Sequence, residues 1–242
     1  MPGSNVALCE PGIIMQFSET LANRGLNLQA VLSLDGLPDS ILKELQCTAD
    51  LSRYRQLLLL GHGGKKLWQQ IKNDGFTSNN TVDDFTCRSI QAWFKSEYDG
   101  TAFKILYPGE HLIPLQLLGQ IAGWHFPSPF MVGVNDRWGS WYAYRAVVLA
   151  DSQFAVTLRP EWHSPCETCN TKPCISACPV SAVSDSGLDL ARCIAYRKQP
   201  DSACRFNCLA RWTCPVATLE RYSEEQLHYH YERSLQTLLA IE

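Results

Sequence analysis

Apolar residues along the chain follow two patterns, short continuous runs and a helical spacing. The continuous runs predict strands, at 26–34, 55–60, 103–107, 130–134 and 141–149, and the last two form a hairpin around a turn at 135–139. The helical spacing predicts helices at 11–25, around Leu67 to Ile71, from Thr81 onward, at 112–123 and at 223–239. Because helices and strands alternate, residues 1–160 are predicted to form a layered α/β (α+β) domain.

The distribution of cysteines changes after His163. Eight of the eleven cysteines lie between Cys166 and Cys214, where no helical or strand period is visible. The chain is long and 45% apolar, so it can bury a core without disulfides, and metal ligation is favoured over disulfide pairing. The other three thiols are expected to be free and buried: Cys9, Cys47 and Cys87. The sequence therefore predicts a small module, at 161–219, whose fold depends on its metal.

The cysteine spacing is typical of two-cluster ferredoxins, because both halves of the motif end in Cys-Pro. In those proteins three cysteines of one run hold one cluster, and the cysteine before proline crosses to the other cluster. The first predicted set of [4Fe–4S] ligands is Cys166, Cys169, Cys174 and Cys214. The second predicted set is Cys178, Cys193, Cys204 and Cys208. The gaps inside each run are longer than in bacterial ferredoxins, which leaves the sharing of ligands more open than their number.

Two structural zinc sites are the alternative interpretation of the same residues, since zinc also takes four cysteines. The two Cys-Pro pairs and the lack of histidine among the clustered cysteines favour iron–sulfur clusters. A zinc module would be colourless and inactive in redox chemistry, so the two interpretations predict different functions.

The overall charge gives no sign of a polyanionic partner. The formal net charge is −3 and the pI is about 6.1, so neither nucleic acid nor a membrane surface is expected as a partner. No apolar run could span a bilayer and no signal peptide is visible, so a cytoplasmic location is expected. Between Cys166 and Cys214, six basic residues outnumber four acidic ones. This excess favours an acidic electron donor such as flavodoxin or ferredoxin, with ordinary solvated charges as the alternative.

A glycine-rich segment, Gly61 to Lys65, follows one of the predicted strands. Glycines at the start of a helix can expose backbone N–H groups to a phosphate. The spacing does not match a Walker A motif, and a tight turn is the favoured interpretation.

Several segments resemble two known protein families. Residues 191–196 and the terminal Cys-Pro are similar to the ferredoxin portion of epoxyqueuosine reductase and its reductive dehalogenase relatives, and 121–124 and 137–141 resemble that family's cobalamin-binding domain. Residues 80–84, 138–148 and 221–226 resemble the cobalamin-processing protein of the cobalamin C type, a flavin-reductase-like decyanase and dealkylase. Together the resemblances imply a nitroreductase-like domain at 1–160, completed by a helix at 220–242 and carrying a ferredoxin-like insert at 161–219.

The same resemblances imply cofactor-binding residues in the layered domain. In the cobalamin C family, arginines at the positions of Arg145 and Arg221 line a reductant pocket beside the corrin, and the planar guanidinium suits carboxylate or phosphate. The alternative for both is an ordinary ion pair. Trp138 and Tyr144 are candidates for packing on a corrin or isoalloxazine face, with core packing as the alternative. The reductase family's catalytic aspartate has no clear counterpart, since Glu110 is only nearby, and epoxyqueuosine reduction is not expected.

These observations predict an iron–sulfur oxidoreductase. Two [4Fe–4S] clusters would pass single electrons to cobalamin or another corrinoid, or to a flavin such as FMN, held by the layered domain. One alternative is a ferredoxin-like electron-transfer protein with no catalytic site of its own. A further alternative is a cluster protein with a structural or sensing role.

Overall fold

The elements of the chain are seen in a computed structural model, which describes residues 16–240. The helices are α1 (Glu19–Asn23), α2 (Asp39–Gln46), α3 (Lys66–Asn73), α4 (Thr81–Glu97), α5 (Leu115–Ile121), α6 (Pro165–Thr168), α7 (Pro173–Ser176), α8 (Leu190–Lys198), α9 (Leu209–Trp212) and α10 (Glu224–Ala240). The strands are β1 (Leu28–Ser33), β2 (Gln56–Gly63), β3 (Phe103–Tyr107), β4 (Tyr142–Ala150), β5 (Val183–Ser184) and β6 (Gly187–Leu188). The first part of the helix predicted at 11–25 lies outside the described residues. None of the helices in the described part of the chain has the length and apolar content needed to cross a membrane.

A four-stranded sheet in the order β1-β2-β4-β3 forms the centre of the layered domain, and all of its strand pairs are antiparallel. Successive side chains of a strand point to opposite faces, so a strand that is covered on both faces is apolar at every position. In β2, Leu57 and Leu59 face one side while Leu58 and Leu60 face the other, and all four are fully buried. The predicted mixed architecture of helices and strands is confirmed.

Helices cover both faces of this sheet. Helices α2 and α5 pack on the face that carries Leu57 and Leu59, whereas α1, α3 and α4 pack on the opposite face. The longest of these, α4, buries a stripe of side chains that includes Val82, Phe85 and Ile90. Burial of each such side chain contributes about 1.5–3 kcal/mol. The hydrophobic spacing after Thr81 is therefore the signal of a helix that anchors the sheet.

The predicted hairpin between 130–134 and 141–149 is wrong in its first strand. Met131 has a positive φ of 61°, and a Cβ at Gly133 would lie 2.2 Å from Tyr142 Oη. The segment therefore turns tightly against β4 and does not pair along it; Val134 forms only an isolated bridge with Phe126. Strand β4 instead pairs with β2 and β3.

Strand β4 contains one residue more than β2 can pair. Leu60 pairs with Ala146 and Gly61 pairs with Tyr144, which leaves Arg145 between the two pairs. An extra residue of this kind forms a β-bulge and redirects its side chain. Arg145 consequently points to the same face of the sheet as His62, with which it forms a hydrogen bond.

The cysteine module contains short helices and a small hairpin, whereas the sequence predicts no regular structure there. Helices α6 and α7 begin with proline, whose fixed φ suits the first helical position. Helix α8 is capped by Asp189, whose carboxylate accepts a hydrogen bond from Arg192 N–H. Helices α6, α7 and α9 have four residues each, about one helical turn, so no amphipathic period could be visible in the sequence.

Candidate functional site

The clustered cysteines of the module line two separate cavities. The first cavity is lined by Cys166, Cys169, Cys174 and Cys214, the first quartet. The second cavity, of about 190 Å³, is lined by Cys178, Cys193, Cys204 and Cys208, the second quartet. The structure thus groups the thiols in the crossed pattern of two-cluster ferredoxins. Their role as metal ligands stays a prediction.

Packing of two short helices brings the members of the first quartet together. Cys174 lies in α7 and Cys214 follows α9 by two residues. Thr213 Oγ1 donates a hydrogen bond to Pro173 O at 3.3 Å, which fixes the end of α9 against the start of α7. In the second quartet, Cys208 caps α9 and its sulfur accepts the Arg211 N–H at 3.5 Å.

Burial makes these thiols poor acids in the absence of a metal. It raises the pKa of six of them, and nearby cysteines raise it further; the six are Cys166, Cys174, Cys193, Cys204, Cys208 and Cys214. The pKa of Cys166 rises to about 11. A set of thiolates is therefore disfavoured here at neutral pH unless a metal cation compensates their charge.

The wall of each cavity offers four cysteines, which is the number of ligands that a [4Fe–4S] cluster takes. Within residues 16–240, no three His, Cys, Asp or Glu side chains are close enough together to hold one metal ion. Zinc requires its sulfur ligands at about 2.3 Å from one centre. Four cysteines spread around the wall of a cavity instead suit a [4Fe–4S] cubane, which each thiolate contacts at a different corner.

The two scattered cysteines in the described part of the chain, Cys47 and Cys87, do not line either cavity. Cys87 is half-buried in α4, whereas Cys47 is exposed at the end of α2 and donates to Lys43 O at 3.3 Å. The expectation that Cys47 is buried is therefore wrong, because this end of α2 faces solvent. Cys9 lies outside the described residues.

Phe130 separates the two cavities and belongs to the lining of both. It is buried in a small cluster with Cys174, Val183 and Ala210, all from the cysteine module. The segment before β4 therefore inserts an aromatic ring of the layered domain into the module. The sequence analysis missed this role, since Phe130 has the same apolar character as a strand residue.

Arg211 connects the second quartet with the layered domain. It is buried, it lines the second cavity, and its guanidinium donates to Ser140 O at 2.5 Å. The same guanidinium lies over two aromatic rings, 4.4 Å from that of Trp141 and 5.2 Å from that of Tyr222. These are cation–π contacts of the module with the segment that enters β4, at Trp141, and with the segment that enters α10, at Tyr222.

From Tyr222 the contacts continue to Arg145. The Tyr222 ring stacks on His62 with centroids 5.4 Å apart, and His62 Nδ1 accepts a hydrogen bond from Arg145 Nε at 2.9 Å. Burial lowers the pKa of His62 well below its ordinary value, and it lowers the pKa of His230 to about 3; the charge of Arg145 lowers both further. Both imidazoles are therefore neutral at pH 7, and His62 Nδ1 can accept the hydrogen bond that Arg145 Nε–H donates.

Arg145 forms the floor of a polar pocket of about 170 Å³, which we call the Arg145 pocket. Its side chain is 12% exposed and its Nη1 lies 3.7 Å from Asp83 Oδ1. The remaining lining residues are Asn80, Val82, Tyr107, Tyr229, His230 and Arg233. Two arginines and one carboxylate leave the pocket positive, which suits an anionic group.

The other predicted cofactor-binding residues lie apart from Arg145. Arg221 donates to Cys214 O at 3.4 Å and lies over the Trp212 ring, behind the first quartet. Trp138 and Tyr144 pack in the core on the opposite face of the sheet from Arg145, and Tyr144 Oη lies 3.3 Å from His125 Nδ1. The structure therefore does not bring the four residues into one pocket, and their cofactor roles stay predictions.

Neither His62 nor His230 was predicted from the sequence to belong to the site. His62 lies within the Gly61 to Lys65 segment, where β2 continues to Gly63 and the chain turns only at 64–65. A Cβ at Gly63 would lie 2.2 Å from the Trp138 ring, so glycine is needed there for packing. His62 could have been identified from its position in β2. It lies two residues after Leu60 and four after Leu58, so its side chain points to the same face of the sheet as theirs.

Comparisons with known proteins bear on the fold. No protein-family model matches the chain. No curated protein matches its sequence. Epoxyqueuosine reductase from Streptococcus thermophilus is similar in structure, with a TM-score of 0.52 and 11% identity over 83% of this chain and 65% of that chain. The enzyme from Bacillus subtilis gives a TM-score of 0.48 and 13% identity, over 85% and 66% of the two chains. Epoxyqueuosine reductase bound to an epoxyqueuosine-modified tRNA-Tyr stem loop gives a TM-score of 0.49 and 14% identity. The match covers 87% of this chain and 66% of that chain.

On the sequence alone, nucleic acid is excluded as a partner. That exclusion is wrong, because one of these similar structures is bound to a tRNA stem loop. That expectation used the net charge of the whole chain, which does not report where basic residues lie on the surface. The comparisons give no support to the cobalamin C resemblance. The chain spans less than two thirds of the Streptococcus enzyme, and at 11% identity the likeness shows the fold alone. That fold is the fold of the epoxyqueuosine reductases.

Proposed function

We propose that this chain is an iron–sulfur oxidoreductase whose two quartets hold [4Fe–4S] clusters and whose layered domain holds the electron acceptor. When bound, such clusters supply one-electron transfer at a potential set by their surroundings. The observation that carries the proposal is the series of side-chain contacts from the second quartet through Arg211, Tyr222 and His62 to Arg145. A structural cluster site would not need a contact path to a polar pocket in another domain.

The residues of this path position an acceptor and keep water away from it. Tyr222 and His62 are buried, so the path between the cavity and the pocket is dry. His62 fixes the Arg145 guanidinium through Nε, and only a long contact to Asp83 occupies Nη1. The outer edge of the guanidinium therefore faces the pocket, where it can bind a carboxylate or phosphate with two hydrogen bonds.

The size of the pocket restricts what can bind inside it. A volume of about 170 Å³ is smaller than the roughly 300–1,000 Å³ of pockets that enclose a whole drug-sized ligand. A polar arm of the acceptor would enter the pocket while its larger ring system lies outside. We propose a corrinoid as the acceptor, supported by the resemblance of 80–84 and 138–148 to a cobalamin-processing protein, because these segments contribute Asn80, Asp83 and Arg145 to this pocket. A flavin, whose phosphate suits Arg145 and Arg233, is the alternative.

Anaerobic metal analysis and acceptor titration test the proposal. The purified chain is expected to contain about eight iron and eight sulfide ions from two cubanes. The dithionite-reduced protein is then mixed separately with cob(II)alamin, FMN and a tRNA-Tyr stem loop. We expect saturable binding of cob(II)alamin and oxidation of the reduced protein by it.

Matched variants locate the acceptor. Arg145→Gln is expected to weaken acceptor binding at least about tenfold, because a charge-assisted pair contributes about 1.5–3 kcal/mol. Arg55→Gln is the control, since Arg55 forms an exposed ion pair with Asp151 far along the strand from the pocket. Intact clusters with no bound acceptor would identify an electron carrier, and binding of the RNA alone would identify a nucleic-acid substrate. Two zinc ions per chain would end the proposal.

A further inference from the structure

The two quartets differ in the charged side chains that line their cavities. Lys172 lines the first cavity and is paired with the carboxylate of Asp185. Arg197 and Arg211 line the second cavity. Among residues 16–240, neither arginine has a carboxylate within 4.0 Å. The second cavity therefore faces two cations that the protein itself leaves uncompensated.

Arg211 is the more deeply buried of the two, with 9% exposure. It donates to Ser140 O at 2.5 Å and to Ser140 Oγ at 3.4 Å, and the hydroxyls of Tyr222 and Tyr231 also lie near it. The faces of Trp141 and Tyr222 cover the guanidinium. All of these partners are neutral. A buried charge without an opposite charge is costly, so a negative group near Arg211 would stabilise the protein.

Arg197 is held against the same cavity by two hydrogen bonds. Its Nη1 donates to Ser234 Oγ at 3.2 Å and its Nη2 donates to Tyr231 O at 3.3 Å, both on α10. Its Nε is buried without a hydrogen-bond partner. Arg197 lines the second cavity together with Cys193 and Cys204, so its charge lies beside this quartet.

Other features of the two quartets are more nearly equal. Backbone N–H groups approach sulfurs in both, at Cys174 and Cys214 in the first and at Cys178, Cys204 and Cys208 in the second. Arg221 also has no carboxylate within 4.0 Å among residues 16–240, but it donates to the backbone oxygen of Cys214 and does not line the first cavity. The charged lining is thus the feature that separates the second quartet from the first.

We propose that Arg197 and Arg211 give the cluster held by the second quartet the higher reduction potential of the two. This inference rests on the proposed function. Reduction adds one negative charge, and nearby uncompensated cations stabilise that charge. The transfer is balanced by one electron lost at the first quartet and one gained at the second, with no proton or bond change. The arginines would thereby hold the electron at the quartet whose contacts lead to Arg145.

A redox titration of the holoprotein, followed by electron paramagnetic resonance, tests this assignment. Cys193→Ser identifies the signal of the second quartet, because it alters one ligand of that cluster alone. In Arg211→Gln, the ratio of reduced to oxidised second cluster at a fixed potential is expected to fall about tenfold, which is 59 mV for one electron. The first cluster is expected to shift less, and Arg211→Lys is expected to restore most of the ratio.

Two further variants keep the test independent of folding. Arg197→Gln removes the less buried cation and is expected to lower the same ratio in the same direction. Arg192→Gln is the control, because Arg192 is exposed and lies 3.5 Å from Asp189. Unchanged midpoints in both glutamine variants, or a lower midpoint for the second cluster than for the first in the parent protein, would overturn the assignment. Wild-type protein without about eight irons would instead refute the proposed function itself.

Discussion

The layered domain and the cysteine module differ in the size of their hydrophobic cores. The domain buries continuous apolar strands on both faces of its sheet, under helices such as α4. The module has three one-turn helices, the nine-residue α8, and a buried cluster of Phe130, Cys174, Val183 and Ala210, one of which comes from the segment before β4. A core of that size cannot offset the entropy of ordering about fifty residues.

This difference suggests where the stability of each region originates. The domain is expected to fold through hydrophobic burial alone, whereas the module is expected to fold when metal compensates its desolvated thiols. Substitutions in each region, and a change of pH, distinguish these two sources of stability.

Loss of one ligand is expected to have the largest effect, and it should be confined to the module. In Cys174→Ala, iron content is expected to fall from about eight to about four per chain, because one cubane loses a corner ligand. Amide hydrogen exchange is expected to speed up in α6 and α7 and to stay slow in β1, β2 and β4. Cys47→Ala is the control, since Cys47 is exposed and belongs to neither quartet. Equal loss of protection in the sheet would contradict the division.

A cavity in the sheet core is expected to destabilise the domain without affecting its metal. Leu59→Ala removes a fully buried side chain, and the free energy of unfolding is expected to fall by about 2–5 kcal/mol. Urea denaturation followed by far-ultraviolet circular dichroism measures the change. Leu112→Ala, at a position that is 97% exposed, is the matched control and is expected to change stability by less than about 0.5 kcal/mol. Iron per folded chain should be equal in both variants.

The buried imidazoles near Arg145 predict a loss of stability in acid. Burial lowers the pKa of His230 from 6.5 to about 3, so the unfolded chain binds more protons than the folded chain between these values. The stability is complete above pH 6.5 and is lost as pH falls toward 3. His230→Phe removes one titrating group while keeping a ring, and it is expected to flatten the decline by about 1 kcal/mol between pH 6.5 and 5.5. A wild-type slope in this variant would show that His230 is protonated when folded.

The smallest effect is expected from a partly exposed ion pair in the layered domain. Arg24 and Asp74 form two hydrogen bonds, at 3.2 and 2.6 Å, with side chains that are 34% and 35% exposed. A double-mutant cycle of Arg24→Ala and Asp74→Ala is expected to give a coupling free energy of about 1 kcal/mol or less, reduced by salt. A coupling as large as the effect of Leu59→Ala would mean that charge, too, stabilises this domain.

Local sequence patterns predict the helices and strands whose residue types are determined by burial at each position. Strand β3 coincides with the predicted run at 103–107, and α4 begins at Thr81 as expected. The cysteines of each predicted quartet also line one cavity, and their role as ligands stays a prediction. Each of these signals depends on burial or ligand chemistry over a few neighbouring positions.

Contacts between distant segments could not be predicted in the same way. The sequence does not indicate that β4 lies between β2 and β3, because the pairing of strands is a long-range property. The contact of Arg211 with Tyr222, and that of Tyr222 with His62, likewise depends on how α10 packs. Phe130 was assigned to a strand because an apolar residue in a tight turn has no distinctive local pattern.

The bulge at Arg145 has a consequence for the tolerance of this chain to insertions and deletions. Ahead of it Tyr142 and Tyr144 face α5, and beyond it Ala146 faces α4, so the side-chain alternation changes phase at Arg145. Deletion of Arg145 itself would make the pair of Gly61 with Tyr144 and the pair of Leu60 with Ala146 successive and remove the bulge, and the rest of β4 would keep its present faces. Deletion of a residue beyond the bulge would instead turn the remaining side chains of β4 over, which no substitution could do. One-residue gaps in relatives with this sheet are therefore expected at 145 rather than at 146–150. A relative with such a gap would have a sheet that lacks the redirected arginine.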